Sequence, residues 1–127
     1  MILVDSSVWV DFLRGDERTA CRLRAAAGRE PLAVSGMILH EVLRGSRTQA
    51  QFSRFEREMR LWHRIVETED DFVAAARLYA RLRWAGDTVP ASDCLVAAVA
   101  LRAAVPLYAE DNDFLRIPGL NLHQPPT

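Results

Sequence analysis

Short apolar runs alternate with stretches of helical periodicity along this chain, and that rhythm admits few folds. Residues 2–5 read as a first strand. Ser6 or Ser7 can cap a helix through Val8–Leu13, which Gly15 ends, and a second helix over Glu17–Ala27 stops at Gly28. Leu32–Ser35 is a second strand, followed by a helix over Gly36–Leu43 that stops near Gly45. Phe52, Phe55, Met59 and Trp62 recur at three- and four-residue spacing, predicting an amphipathic helix over Gln49–His63. A third strand is expected over Arg64–Thr68, then helices over Asp70–Ala85 and Ser92–Ala104. Leu107–Ala109 is a fourth strand, a helical turn follows Asp111, and Leu120–His123 is a fifth strand before Pro125 and Pro126. Strands alternating with helices predict an α/β chain whose five-stranded sheet is mostly parallel and carries helices on both faces.

In such sheets ligands bind beyond the carboxyl ends of the strands. Four acids occupy element ends of that kind. Asp5 follows the first strand, and Ser6 and Ser7 are already available as caps, so the acid is free for another task. Glu41 lies inside the apolar run Met37–Leu43, where a half-buried carboxylate needs a partner; Arg44, one turn on, is one candidate and a metal another. Asp93 opens a helix and Asp111 follows the fourth strand, positions where an acid can equally cap a helix. Asp113 binds metal, positions a water beside it, or caps the turn. Carboxylates drawn together raise one another's pKa values unless a cation joins them, and oxygen ligands suit a hard divalent ion, Mg2+ or Mn2+.

Composition removes several alternatives. With 127 residues the chain reads as a single domain, residues 1–127, large enough for a core. All sixteen basic residues are Arg. Phosphoryl-transfer sites that rely on a Lys, the P-loop among them, are thereby disfavoured. His40, His63 and His123 lack partners at zinc-ligand spacing, and Ser6-Ser7 fits no nucleophilic serine motif. Cys21 and Cys94 form no CxxC, as expected of reduced thiols in the cytoplasm; no membrane span or signal peptide is expected. Trp9, Trp62 and Trp84 are expected to pack within helices.

Charge is uneven. From Arg44 to Val66 there are six Arg against Glu56 and Glu58. Arg44, Arg54, Arg57 and Arg60 are candidate phosphate contacts for a polyanion; a solvated helix face with paired charges is the competing reading.

The residues carry a family resemblance. Ile2-Leu3-Val4-Asp5-Ser6-Ser7-Val8-Trp9 resembles the opening of PIN-domain proteins, especially the VapC toxins of bacterial toxin–antitoxin pairs. His40-Glu41-Val42-Leu43-Arg44-Gly45, Ala91-Ser92-Asp93-Cys94-Leu95-Val96-Ala97-Ala98 and Tyr108-Ala109-Glu110-Asp111-Asn112-Asp113-Phe114 resemble that family's second, third and fourth motifs, in order and at the right separations. Ala109 stands where the family commonly has Thr, so one hydroxyl near the metal is missing. The resemblance implies a three-layer α/β/α sandwich and a Mg2+- or Mn2+-dependent endoribonuclease, a hydrolase acting on phosphodiester bonds in RNA. It also implies a homodimer in the cytoplasm and a cognate VapB-like antitoxin. The implied site comprises Asp5, Glu41, Asp93 and Asp111 as catalytic metal ligands, with Asp113 contributing and Ser7 in support. A catalytically silent PIN-like binding module and a metal-dependent phosphatase are the alternatives; loss of site acids would mark the first, and none is missing.

Overall fold

The computed structural model describes residues 1–123, and Pro125 and Pro126 lie outside the described residues. The elements run β1 (Ile2–Val4), α1 (Ser6–Leu13), α2 (Glu17–Ala27), β2 (Leu32–Ser35), α3 (Gly36–Arg44), α4 (Gln49–Met59), β3 (His63–Ile65), α5 (Glu69–Trp84), α6 (Ala91–Ala103), β4 (Leu107–Tyr108) and a 3-10 turn over Asn112–Arg116. The strand order is β3-β2-β1-β4, and every pairing is parallel. β1 and β2 are buried along their whole length, as the two inner strands of a sheet covered on both faces should be.

The chain steps from β1 to β2 to β3 in one direction, then returns past β1 to form β4. Right-handed crossovers of these two senses place α1–α4 over one face and α5–α6 over the other, giving three layers. The reversal leaves a switch point between β1 and β4, at their carboxyl ends. The core gathers there. α6 is buried continuously from Cys94 to Ala100, consistent with a helix apolar on every side. Trp9, Leu3, Val4, Tyr108 and Phe114 are among the side chains it shares the interior with.

Three expectations are corrected. The sheet has four strands, not five, among the described residues: Leu120–His123 contributes only the parallel bridge Leu107–Leu122. There the Leu107 amide donates to the Asn121 carbonyl and the His123 amide to the Leu107 carbonyl, and Gly119 sits at positive φ in the turn before it. α4 ends at Met59, so His63 belongs to β3 and Trp62 to the turn between them. Trp84 is 76 % exposed at the end of α5, whereas Trp9 and Trp62 stack at 5.0 Å. No helix is long and apolar enough to cross a membrane among the described residues.

Candidate metal centre

The sheet ladder fixes the first two acids relative to each other. Val4 is in register with Tyr108, and the Asp5 amide donates to the Tyr108 carbonyl at 2.9 Å. Asp5 therefore leaves β1 level with the end of β4, three residues before Asp111. Asp5 is the N-cap residue of α1, yet its side chain makes no capping hydrogen bond. Instead the Ser7 hydroxyl donates to Asp5 Oδ2 at 3.1 Å. Asp5 is only 5 % exposed, and its Oδ1 is buried without any partner.

Glu41 arrives from α3, which begins directly where β2 ends and packs against α1 and α6. The Glu67 carboxylate, just beyond β3, holds the start of that helix: the Gly36 and Met37 amides donate to it at 2.9 and 2.7 Å. The Ser6 hydroxyl reaches Glu41 Oε1 at 3.5 Å, and Arg44 meets Oε2 at 3.5 Å. Asp93 lies in the first turn of α6. Asp111 caps the 3-10 turn by accepting from the Asp113 amide at 2.9 Å, and Asp113 meets Arg116 at 3.6 Å.

Asp93, Asp111 and Asp113 offer oxygens that all lie within 4.8 Å of one another. Asp5 and Glu41 stand outside that tight trio but feel it. Burial, with the charge of Asp111 adding to it, raises the Asp5 pKa against the opposing pull of the Ser7 hydroxyl and of the nearby Ser6 and Ser7 amides. Burial and then the Asp5 charge raise that of Glu41, outweighing Arg44. Asp93 is pushed up to about 7, by burial and then by Asp5, Asp111, Glu41 and Asp113. Of the two partners expected for Glu41, Arg44 is in place at 3.5 Å, yet burial and the Asp5 charge outweigh it. The capping alternative for Asp111 also holds, without turning its charge away from Asp93.

The donor set suits a hard divalent ion. It offers only carboxylate oxygens, one of them buried and unpaired, and mutual repulsion that a cation would relieve. A buried acceptor with no donor is costly, and a cation would satisfy it.

The candidate phosphate-binding arginines divide. Arg44 borders the acids. Arg54 donates to the Leu13 carbonyl at 3.2 Å, at the far end of α1 from Asp5, and lies over the Phe55 ring. Arg57 is exposed on α4, and Arg60 pairs with Glu56 at 3.4 Å. A groove of about 810 Å³ between α5 and α6 is lined by none of the five acids.

Sequence reasoning passed over Ser6 and Glu67. The Ser6-Ser7 pair beside Asp5 was a usable signal. Glu67 gave no local one, because its partners lie thirty-one and thirty residues away and only the parallel pairing of β2 and β3 brings them together.

Comparison with known proteins agrees with this arrangement. The PIN domain family matches residues 2–120. Ribonuclease VapC11 of Mycobacterium tuberculosis is 34% identical over 119 residues, covering 90% of this chain and 89% of the relative. VapC ribonuclease Mb1587 of Mycobacterium bovis matches to the same extent. Among solved structures, VapBC2 from Rickettsia felis bound to a promoter DNA fragment superposes with a TM-score of 0.84 at 21% identity, covering 97% of this chain and 98% of that one. The sarcin-ricin loop cleaving toxin VapC20 of M. tuberculosis does so at 0.74 and 22%, covering 98% and 100%. With four acidic motifs in family order at one end of a parallel sheet, this chain belongs to the PIN-domain family, among the VapC ribonucleases.

Proposed function

We propose that this protein is a Mg2+- or Mn2+-dependent endoribonuclease, the toxin of a VapBC-type pair acting in the cytoplasm. The observation that carries the reading is Asp5: a strand-end carboxylate, almost fully buried, with one oxygen unpaired among the described residues and its pKa raised by burial and by the Asp111 charge. Asp5, Glu41, Asp93 and Asp111 would hold the ion, with Asp113 completing the set. When bound, the ion supplies an activated water and neutralises charge building on the phosphate.

The chain's own residues do the rest. Ser7 fixes the rotation of the Asp5 carboxylate through its 3.1 Å hydrogen bond. Ser6 and Arg44 donate to different oxygens of Glu41 and so orient its carboxylate. Asp113 and its amide lock Asp111 at the mouth of the site. Arg44, exposed beside Glu41, offers a forked donor to a phosphate flanking the scissile bond. The partners follow from the family: an RNA substrate, a second copy of the chain, and a VapB-like antitoxin. A silent binding module would need no such convergence of uncompensated carboxylates.

The test is incubation of purified protein with structured RNA in Mn2+ and in EDTA. Discrete fragments in Mn2+ that disappear in EDTA are expected. Intact RNA in both conditions, from protein that binds Mn2+, would reject nuclease activity and leave the module reading.

A further inference from the structure

A second, smaller cleft opens beside Asp111, and Glu41 is not among its lining residues. It holds about 150 Å³ and is lined by Arg22, Tyr108, Glu110, Asp111, Asn112 and His123, with Leu115 and Leu122 as apolar walls. Tyr108 is 1 % exposed, yet among the described residues its hydroxyl has no hydrogen-bond partner. His123 Nε2 is buried and without a partner among the described residues as well. The two rings lie 5.5 Å apart. The Arg22 guanidinium approaches the Tyr108 hydroxyl without closing a hydrogen bond, and it meets Glu110 at 3.8 Å. Buried polar atoms are ordinarily satisfied, so two orphans around one cleft call for a ligand.

Size and charge select its class. The volume is about five times that of a water molecule in the liquid, and below the 300 Å³ or so at which drug-sized sites begin. That is room for a single heterocycle. Arg22 faces two carboxylates, Glu110 and Asp111, so the cleft is not positive and does not favour phosphate. Hydroxyl, imidazole and amide groups that both donate and accept suit the edge of a neutral base. Single-stranded RNA presents such edges once a base is splayed out.

We infer that this cleft is a base-reading subsite. It takes the nucleobase next to the scissile phosphate and recognises its edge through the Tyr108 hydroxyl and His123 Nε2. The inference rests on the ribonuclease reading, because Asp111 is shared by the two sites. Tyr108 is here a specificity-determining residue and is not one of the metal ligands. A site built to hydrogen-bond a group rejects ligands lacking it far better than an apolar slot does.

The test uses wild type and Tyr108→Phe with four short oligoribonucleotides that differ only at the base flanking the cleaved bond. Binding is measured in Ca2+, and cleavage separately in Mn2+. Tyr108→Phe removes one unpaired oxygen and keeps the ring, so its melting temperature should hold or rise. Wild type is expected to prefer one base by tenfold or more. Tyr108→Phe should compress that preference to about threefold or less, with Mn2+ affinity unchanged. Equal binding of all four by wild type, or the same preference in Tyr108→Phe, overturns the subsite. Selective binding lost in Tyr108→Phe without any Mn2+-dependent cleavage would support the subsite while rejecting the nuclease. Cleavage with an unaltered preference in the variant would do the reverse.

Discussion

Ser7 donates its hydroxyl hydrogen to one oxygen of Asp5 at 3.1 Å, while the other oxygen is buried and has no partner among the described residues. The serine orients the carboxylate without neutralising it. Groups that orient metal ligands in this way typically contribute about 10–100-fold to metal affinity or activity. Ser7→Ala should therefore weaken Mn2+ binding by about tenfold or more, read by calorimetry, while the fold persists. Unchanged affinity would remove Ser7 from the site.

Asp93 gives a pH dependence with a definite sign. Its pKa is pushed up to about 7 from an ordinary 3.8 by burial first and by four neighbouring acids next. The folded chain thus holds this proton more tightly than the unfolded chain. Without metal, the contribution of Asp93 to stability should be full at and below the ordinary value, be lost as pH rises toward about 7, and then level off. Mn2+ affinity should rise across the same window, because the ligands must lose their protons. Melting temperatures in EDTA from pH 4 to 8 check this, and Asp93→Asn should flatten the decline. An equally steep decline in the variant would assign it to other groups.

Glu67 clamps the helix that carries Glu41. Both of its oxygens accept from the first amides of α3. Glu67→Gln can satisfy only one of them and should cost about 1–2 kcal/mol of stability. A Cβ at Gly36 would fall 2.8 Å from Glu67 Oε1 and 3.2 Å from Oε2, so Gly36→Ala should dislodge the same clamp. The two substitutions share an interaction, and the double variant should lose less than the singles added together. Additive losses in denaturant titrations would contradict the clamp.

What the sequence made legible, and what it hid, divides along chain distance. The α/β alternation and the carboxylates at element ends could be read locally, because a buried strand and an amphipathic helix announce themselves by their periods. Glu67 could not, because its role exists only once β2 and β3 pair. Leu120–His123 looks like a strand in isolation, but among the described residues it forms a single bridge, Leu107 to Leu122, against a β4 of only two residues. The arginine excess of Arg44–Arg64 was visible as charge, yet Arg54 turned out to tie α4 to the end of α1, and Arg60 to pair within its own helix. The orphan hydroxyl of Tyr108 leaves no trace in a sequence, where the residue reads simply as an apolar strand position.

Arg44 pairs with Glu41 and Arg116 with Asp113; of the arginines in the Arg44–Arg64 segment, Arg44 is the one seen to pair with a site acid among the described residues. Each phosphate contact on a single strand contributes about 0.7 to the slope of log affinity against log salt concentration. Arg44→Gln should lower that slope by about this amount, and Arg57→Gln, exposed on α4, serves as the comparison. Neutralising Arg54, Arg57 and Arg60 together should cost stability through the lost Leu13 contact. A slope unmoved by Arg44→Gln but reduced by Arg57→Gln would transfer the RNA path to α4.

The central claim is that the acids converging on Asp5 hold the divalent ion on which RNA hydrolysis depends. Asp5→Asn removes one buried charge at constant shape and should relieve repulsion with Asp111, so the metal-free melting temperature should hold or rise. The decisive measurement is cleavage of structured RNA in Mn2+ by wild type and Asp5→Asn, with the Mn2+-induced shift in melting temperature recorded on the same samples. Cleavage by wild type alone, and a melting shift much reduced in the variant, is the predicted result. A well-folded Asp5→Asn that cleaves RNA in Mn2+ as wild type does, with an undiminished shift, would contradict it.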